Sequence, residues 1–315
     1  LGDVYKRQIL VYGAGVHGSF LAHTLMKVKG NDVTILARGK RYDELVSNGI
    51  EIRHYFQRKE TKERINVVRT LDQNDRYELI FVTMQAGQFE SVLPILASNV
   101  STNIVLSGNN AKAEEMQNFI LNNSRVPKKI AFGMQTSAGM RTDSGKVISI
   151  HGKGSSMYGE LNNQKTLFPL IKKAFGENYK VKYQKEIDSW LKTHYVYITA
   201  MNAMQYIYDD DLKKLSKSKQ SLLEMTQATK EGFSVLEELG HTITPTSQAV
   251  MINNKWINYY FNKIYYKLPI NKAVKGSPKE IKELLVAFHT LKKDATVHTP
   301  AWDKIEKEFF HKYSA

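Results

Sequence analysis

The chain has 315 residues, 42% of them hydrophobic and 24% charged, ordinary proportions for a globular protein long enough to form two domains. It contains no cysteine, which excludes disulfides and thiolate chemistry and suits a cytoplasmic protein; no run of eighteen apolar residues marks a membrane span, and Leu1–Gln8 lacks an apolar signal-peptide core. Lys and Arg number 45 against 31 Asp and Glu, a net +14, but the cations are spread along the chain, which favours a solvated basic surface over a nucleic-acid groove.

Leu1–Lys6 reads as a foreign segment resembling translated adapter sequence and is set aside from the fold. Ile9–Tyr12 is a short apolar strand that runs directly into Gly13-Ala14-Gly15-Val16-His17-Gly18, and Leu21, Ala22 and Leu25 then recur at helical spacing. A buried strand that hands over to a helix through Gly-x-Gly-x-x-Gly is the arrangement of a dinucleotide site. Gly13 permits the turn, Gly15 lets the backbone approach a pyrophosphate, Gly18 allows close helix–strand packing, and Ala14, Val16 and His17 contribute the rest of the cradle. His17 could add charge near a phosphate or simply face solvent.

The second strand, Asp32–Ala37, ends in Arg38-Gly39-Lys40-Arg41, without the carboxylate that bonds the ribose 2′-hydroxyl of NAD. Cations there, Arg38 above all, suit the 2′-phosphate of NADP(H), although a basic surface loop has the same composition. Tyr42–Asn48 continues as a helix, and Ile50–Arg53 and Ile65–Val68 read as short strands. Leu79–Thr83 is a buried strand followed by Met84-Gln85-Ala86-Gly87-Gln88 and a helix near Glu90–Ala97. Ile104–Leu106 repeats the pattern and ends in Ser107-Gly108-Asn109-Asn110. Residues beyond the carboxyl ends of such strands line the ligand crevice, which places Gln85, Gln88, Asn109 and Asn110 on the cofactor side; ordinary turn chemistry explains the asparagines equally well.

Further strands are expected at Ile130–Gly133, Lys146–Ile150 and Ser156–Gly159, then a linker near 160–187. Beyond it the chain reads as helical, giving a dinucleotide-binding domain over 7–185 and a helical substrate domain over 186–315. Ile187–Tyr208 carries apolar residues on most faces, as a central buried helix would. Ser221–Leu239 stops at Gly240, a natural C-terminal cap. Within the long helix Lys192 projects among Asp188, Ser189, Tyr195 and Val196, and a partly desolvated ammonium can give a proton to a carbonyl oxygen as hydride arrives. A helix-surface lysine is the plainer reading of the same residue.

The Ile9–Gly18 motif, Ala37-Arg38, Val82-Thr83-Met84-Gln85-Ala86, Leu106–Asn110, Gly145–Gly159 and Trp190-Leu191-Lys192 together, in this order, resemble the ketopantoate reductases (2-dehydropantoate 2-reductases). The resemblance implies an α/β Rossmann-type N-terminal domain followed by an all-α C-terminal domain, NADPH as reductant and a small 2-oxo acid as substrate. It implies Gly13, Gly15 and Gly18 at the pyrophosphate, Arg38 at the 2′-phosphate, Asn109 beside the nicotinamide ribose and the substrate, and Lys192 as general acid. Glu280 stands where that family has a substrate-binding Glu, yet Ser277-Pro278-Lys279-Glu280 is also a helix capping box, and both readings stay open.

Three positions depart from the family pattern. Gln85 stands where a Lys is usual, and Val196 and Ala200 stand four and eight residues after Lys192, where Asn is common. Each lost polar partner costs on the order of 1–3 kcal/mol at a buried site, so a divergent member with a bulkier or less polar substrate is expected. The competing reading is a non-catalytic NADP(H)-binding sensor that kept the cofactor motif while its pocket drifted. Lys255–Tyr266 interleaves Lys with aromatic residues, and its spacing suggests a buried aromatic stripe with basic outer faces rather than a base-stacking platform. No metal-ligand spacing is present among the histidines. The expected assembly is a monomer or homodimer acting on a small molecule, with neither nucleic acid nor membrane as partner and with pantothenate biosynthesis as the pathway the resemblance suggests.

Overall fold

The computed structural model describes residues 6–152, 154–268 and 276–313. Of the segment read as foreign, only Lys6 lies among them. The described residues divide into two compact units: one comprises residues up to Gly108 with Lys112–Ile187, and the other comprises Asn109–Ala111 with Asp188 onward.

The first unit begins with β1 (Arg7–Tyr12), α1 (Val16–Met26), β2 (Asn31–Leu36), α2 (Gly39–Asn48), β3 (Ile50–His54), β4 (Lys59–Glu63), β5 (Asn66–Val68) and β6 (Leu79–Thr83). It continues through α3 (Leu93–Ser98), β7 (Asn103–Ser107), α4 (Ala113–Asn123), β8 (Lys129–Gln135), β9 (Ala138–Arg141), β10 (Val147–Ile150), β11 (Ser155–Gly159), α5 (Phe168–Phe175) and β12 (Lys180–Tyr183). The main sheet has the order β12-β11-β8-β7-β6-β1-β2-β5. Its pairs are parallel except for β8 with β11. The apolar runs of β1 and β6 are its buried centre, as expected of strands covered on both faces. Since β1 lies between β2 and β6, the chain changes direction across the sheet at the carboxyl end of β1, where ligands of open α/β sheets bind. The fold is the Rossmann-type arrangement expected.

A smaller sheet, β4-β3-β10-β9, joins the hairpin after α2 to the segment after β8. The sequence reading lacks β4 and β9 because Lys59–Glu63 and Ala138–Arg141 present no alternation of apolar and polar residues. Residues 160–187 are not a linker. They hold α5 and β12, and β12 pairs in parallel with β11 at the edge of the main sheet. Glu160 is 3% exposed and accepts hydrogen bonds from the backbones of Thr166, Leu167 and Phe168. A buried carboxylate thus organises the stretch that leads into α5.

The second unit is helical: α6 (Ile187–Ile207), α7 (Leu212–Lys217), α8 (Lys219–Glu238), α9 (Thr246–Asn253), α10 (Lys255–Tyr265), α11 (Pro278–Leu291) and α12 (Pro300–Tyr313). The core includes Tyr195, Phe288 and Trp302, whose last two ring centroids stand 4.0 Å apart. Glu231 of α8 accepts from the Ala301 and Trp302 N–H groups at 2.9 and 3.0 Å, holding the start of α12. After α8, Gly240 adopts φ +83, its N–H bonds Glu237 O, and the His241 N–H bonds Leu236 O; these are the paired bonds of a Schellman cap.

Helix α10 meets the expected burial only in part. Tyr259 and Tyr266 face inward with Asn258 and Asn262, which bond Thr226 and each other. Trp256, Ile257, Tyr260, Phe261 and Ile264 are exposed. The polar residues that anchor α10 to α8 take the inner face, so the apolar residues turn outward.

Candidate functional site

The glycine turn is built by contacts within the first unit. At Gly13, φ is +116 and a Cβ would stand 2.2 Å from Thr83 O; at Gly18 a Cβ would stand 1.8 Å from Gly13 O. Both positions therefore need glycine for packing alone. Gly15 differs, since its φ of −72 suits any residue and, among the described residues beyond its chain neighbours, no atom lies within 4 Å of a Cβ built there. Among the described residues no packing contact requires a glycine at Gly15, and its open backbone leaves room for a ligand group. Helix α1 has no side-chain cap and no acidic residue in its first turn, and its first hydrogen bond runs from Ser19 N–H to Gly15 O. The N–H groups of Val16, His17 and Gly18 precede that bond, and the positive end of the helix favours an anion. The cradle fits a dinucleotide pyrophosphate.

Thr83, at the end of β6, donates from Oγ1 to Gly13 O at 2.9 Å, and Arg41 Nε donates to Ala14 O at 3.0 Å. Arg41 is 9% exposed and also donates to Gly145 O, Ser19 Oγ and Glu44. Burial lowers its pKa, with the Glu44 hydrogen bond opposing. Of the three cations after β2, Arg41 is thus a structural pin behind the turn and not part of an anion site, which corrects the expectation that all three crowd one place. Lys40 reaches Asp143 O and Glu44. Arg38, the exposed residue just before α2, keeps its guanidinium close enough to act on Tyr12, whose phenol burial raises in pKa and Arg38 lowers. His17 is exposed, 3.3 Å from Ser137 Oγ.

Gln85 caps the short 3-10 turn Ala86–Gln88, its side chain accepting from the Gln88 backbone while the Gln88 side chain accepts from Gln85 N–H. The residue in place of the family Lys thus has a local structural task.

In the second unit, Asn109 Nδ2 donates to Glu280 Oε1 at 3.1 Å. Glu280 is 7% exposed in the first turn of α11, and the capping box around it forms as well: Ser277 Oγ accepts from Glu280 N–H, and the carboxylate takes a hydrogen bond from the Ser277 backbone. The cap is thus formed, and the same carboxylate also accepts from Asn109. Burial raises its pKa, partly offset by the Asn109 hydrogen bond, and the nearby Glu283 charge adds to the rise. Tyr206 lies close enough to feel that charge; burial, then Asp210, Tyr313 and Glu280, push its phenol up to about 12, and its hydroxyl donates to Gly276 O.

Lys192, on α6, is 8% exposed. Its Nζ donates to Asp188 Oδ2 at 2.6 Å, and His241 Nδ1 stands 3.6 Å from the same oxygen. Val196 and Ala200 are fully or almost fully buried. Val196 Cγ1 lies 2.5 Å from where a Cβ on Gly232 would stand, so it packs α6 against α8. Sequence reasoning set Asp188 beside Lys192 without pairing the two, and it missed His241, Tyr206 and the inward turn of Arg41. Only Asp188, one helical turn before Lys192, left a local signal.

Residues 9–163 match the family model of ketopantoate reductase PanE/ApbA. A search of curated protein sequences finds no match. Among solved structures, a D-mandelate dehydrogenase in ternary complex with NADH and anilino(oxo)acetate is similar, with a TM-score of 0.75, 19% identity and 97% of each chain covered. The 2-dehydropantoate 2-reductase of Geobacter metallireducens GS-15 has a TM-score of 0.74 at 14% identity, covering 97% of this chain and 99% of its own. That of Methylococcus capsulatus has a TM-score of 0.67 at 19% identity, covering 95% of this chain and 94% of its own. The glycine turn lies inside the stretch that matches the ketopantoate reductase model, and the solved structures share the fold along the length of the chain at 14–19% identity.

Proposed function

We propose that the protein is an NADPH-dependent reductase of a 2-oxo acid bulkier or less polar than ketopantoate. The observation that carries the reading is the buried Lys192 on a helix otherwise given to core packing. An ammonium is kept in such surroundings at a cost, and proton donation is a task that uses it. The glycine turn would hold the pyrophosphate through the first N–H groups of α1, Arg38 would receive the 2′-phosphate, and Asn109 would lie at the nicotinamide ribose. When bound, the nicotinamide supplies hydride to the carbonyl carbon. Lys192 gives its Nζ proton to the carbonyl oxygen, and Asn109 and Glu280, already bonded to each other, present polar groups to the substrate.

The substrate class follows from the departures. Gln85 is occupied in a cap, and Val196 and Ala200 bring no hydrogen bonds. A compact polar acid would leave its own groups unpaired, at about 1–3 kcal/mol each. The similar D-mandelate dehydrogenase was captured with anilino(oxo)acetate, an aromatic acid of this kind.

The test is kcat/KM for ketopantoate, 4-methyl-2-oxopentanoate and phenylglyoxylate with NADPH and NADH, in the wild type, Arg38→Ala and Lys192→Ala. The expected optimum lies away from ketopantoate. NADPH should be preferred, the preference should fall in Arg38→Ala, and turnover in Lys192→Ala should drop about 10²–10⁴-fold. NADPH bound without turnover of any acid would leave the sensor reading in its place, and equal affinity for NADH would remove the role of Arg38.

A further inference from the structure

The surroundings of Lys192 raise a question that a general acid must answer, namely how the proton returns. The Lys192 side chain is 10% exposed, and its ammonium faces the Asp188 carboxylate instead of bulk water. Asp188 stands in the first turn of α6, where the helix dipole favours a carboxylate, and one turn ahead of the lysine it pairs with. The other end of that carboxylate is incompletely satisfied. Oδ2 serves both Lys192 Nζ at 2.6 Å and His241 Nδ1 at 3.6 Å, while Oδ1 is buried without a hydrogen-bond partner among the described residues. A buried carboxylate oxygen left in that condition is uncommon.

His241 is held there by backbone geometry. The Schellman cap at Gly240 ends α8 and fixes the His241 backbone by its bond to Leu236 O. The His241 side chain is 20% exposed, so one part of the ring meets solvent while Nδ1 faces Asp188. The ion pairs of Asp188 among the described residues are those with Lys192 and His241. The three groups run in succession from the partly exposed His241 to the proposed acid: Lys192 is hydrogen-bonded to Asp188, and His241 stands at ion-pair distance from the same oxygen, a short gap that closes as the proton passes.

We infer that Asp188 and His241 return to Lys192 the proton it gives to substrate in each turnover, an inference that rests on the reading of Lys192 as general acid. The balance closes. The carbonyl oxygen takes the Nζ proton as hydride adds to carbon, leaving a neutral amine. Protonated His241 passes its Nδ1 proton to Asp188, Asp188 passes a proton to Nζ, and His241 is reprotonated from solvent. One solvent proton is consumed per carbonyl reduced, as the reduction requires. Asp188 and His241 touch neither substrate nor cofactor in this scheme and act only through Lys192.

The distinguishing readout is the difference between the first turnover and those that follow. In His241→Ala the first turnover, run from a lysine already protonated, should keep a rate within about twofold of wild type, and later turnovers should slow by about tenfold or more, producing a burst. Added imidazole should restore the later turnovers in a concentration-dependent way. A merely structural role would slow the first turnover equally and resist imidazole. The substrate is whichever of the three 2-oxo acids above has the highest kcat/KM. Independently of turnover, the imidazole titration of His241 followed by nitrogen NMR should move to lower pH by about half a unit or more in Asp188→Asn, because the neighbouring negative charge is gone. Asp188→Glu, which keeps the charge, should restore it in part. A His241→Ala enzyme with wild-type kcat from pH 6 to 9 and no burst, or a His241 titration unchanged in Asp188→Asn, overturns the relay. An active Lys192→Ala enzyme, or no turnover of any acid, overturns the reading beneath it, which the NMR arm does not depend on.

Discussion

Replacing Gly15 by alanine should separate ligand binding from folding, and replacing Gly18 by alanine should not. At Gly15 the backbone already has an ordinary φ, and among the described residues nothing beyond the chain neighbours lies within 4 Å of the new Cβ. Two small effects then compete. Reduced freedom of the unfolded chain stabilises by about 0.4–1 kcal/mol, and alanine at a helix N-cap costs about 0.5–1 kcal/mol relative to a good cap. The net change is close to zero, within roughly 2 °C in Tm for a unit of this size. At Gly18 the Cβ would stand 1.8 Å from Gly13 O and 2.5 Å from Thr83 Oγ1, so α1 must lift off the end of β1. Overpacking of that kind costs about 1–3 kcal/mol, or roughly 2–12 °C. Thermal unfolding by circular dichroism and titration of NADPH by nicotinamide fluorescence measure the two quantities. Gly15→Ala should melt with the wild type while its Kd for NADPH rises about 30-fold, equivalent to about 2 kcal/mol. A Gly15→Ala protein that binds NADPH within twofold of wild type, or that melts as early as Gly18→Ala, would refute the claim that Gly15 is kept open for a ligand.

Two further outcomes follow from buried charges of the first unit. Arg41→Met leaves the Ala14 and Gly145 carbonyls without their guanidinium donors, at about 1–3 kcal/mol for each acceptor stranded, so a Tm fall of several degrees is expected; an unchanged Tm would show that Arg41 does not pin the turn. His54 bonds His151 and Thr61, its ring faces that of His23, and burial, then the charges of His23, His151, Lys27 and Lys59, depress its pKa to about 4, with His23 and His151 also lowered. Glu63 bonds His23 and opposes the shift there. The folded state prefers the neutral ring while the unfolded ring takes a proton near 6.5, so the stabilisation is present above 6.5 and is lost as pH falls towards 4. The Tm of the wild type should decline between pH 7 and 5, and His54→Gln should flatten the decline; parallel curves would exclude the cluster as its cause.

Much of this protein was legible in the order of its residues, because the relevant signals are local. The strand–glycine–helix passage at Ile9–Gly18 declares itself through period and spacing, and Gly240 ends α8 by a preference of a single backbone position. The placement of Lys192 on a long apolar helix needs only the pattern of its neighbours. What depends on partners distant in sequence was settled by tertiary packing. Arg41 is drawn inward because the Ala14 and Gly145 carbonyls, 27 and 104 residues away, need donors there. The Glu280 carboxylate serves both its helix cap and Asn109, which lies 171 residues away. Helix α10 presents Trp256, Ile257, Tyr260, Phe261 and Ile264 outward while Asn258 finds Thr226 of α8 on the inner side beside Tyr259, a choice that its own periodicity does not encode. A periodic pattern reports that a helix has two faces; which face is covered depends on the surface it meets.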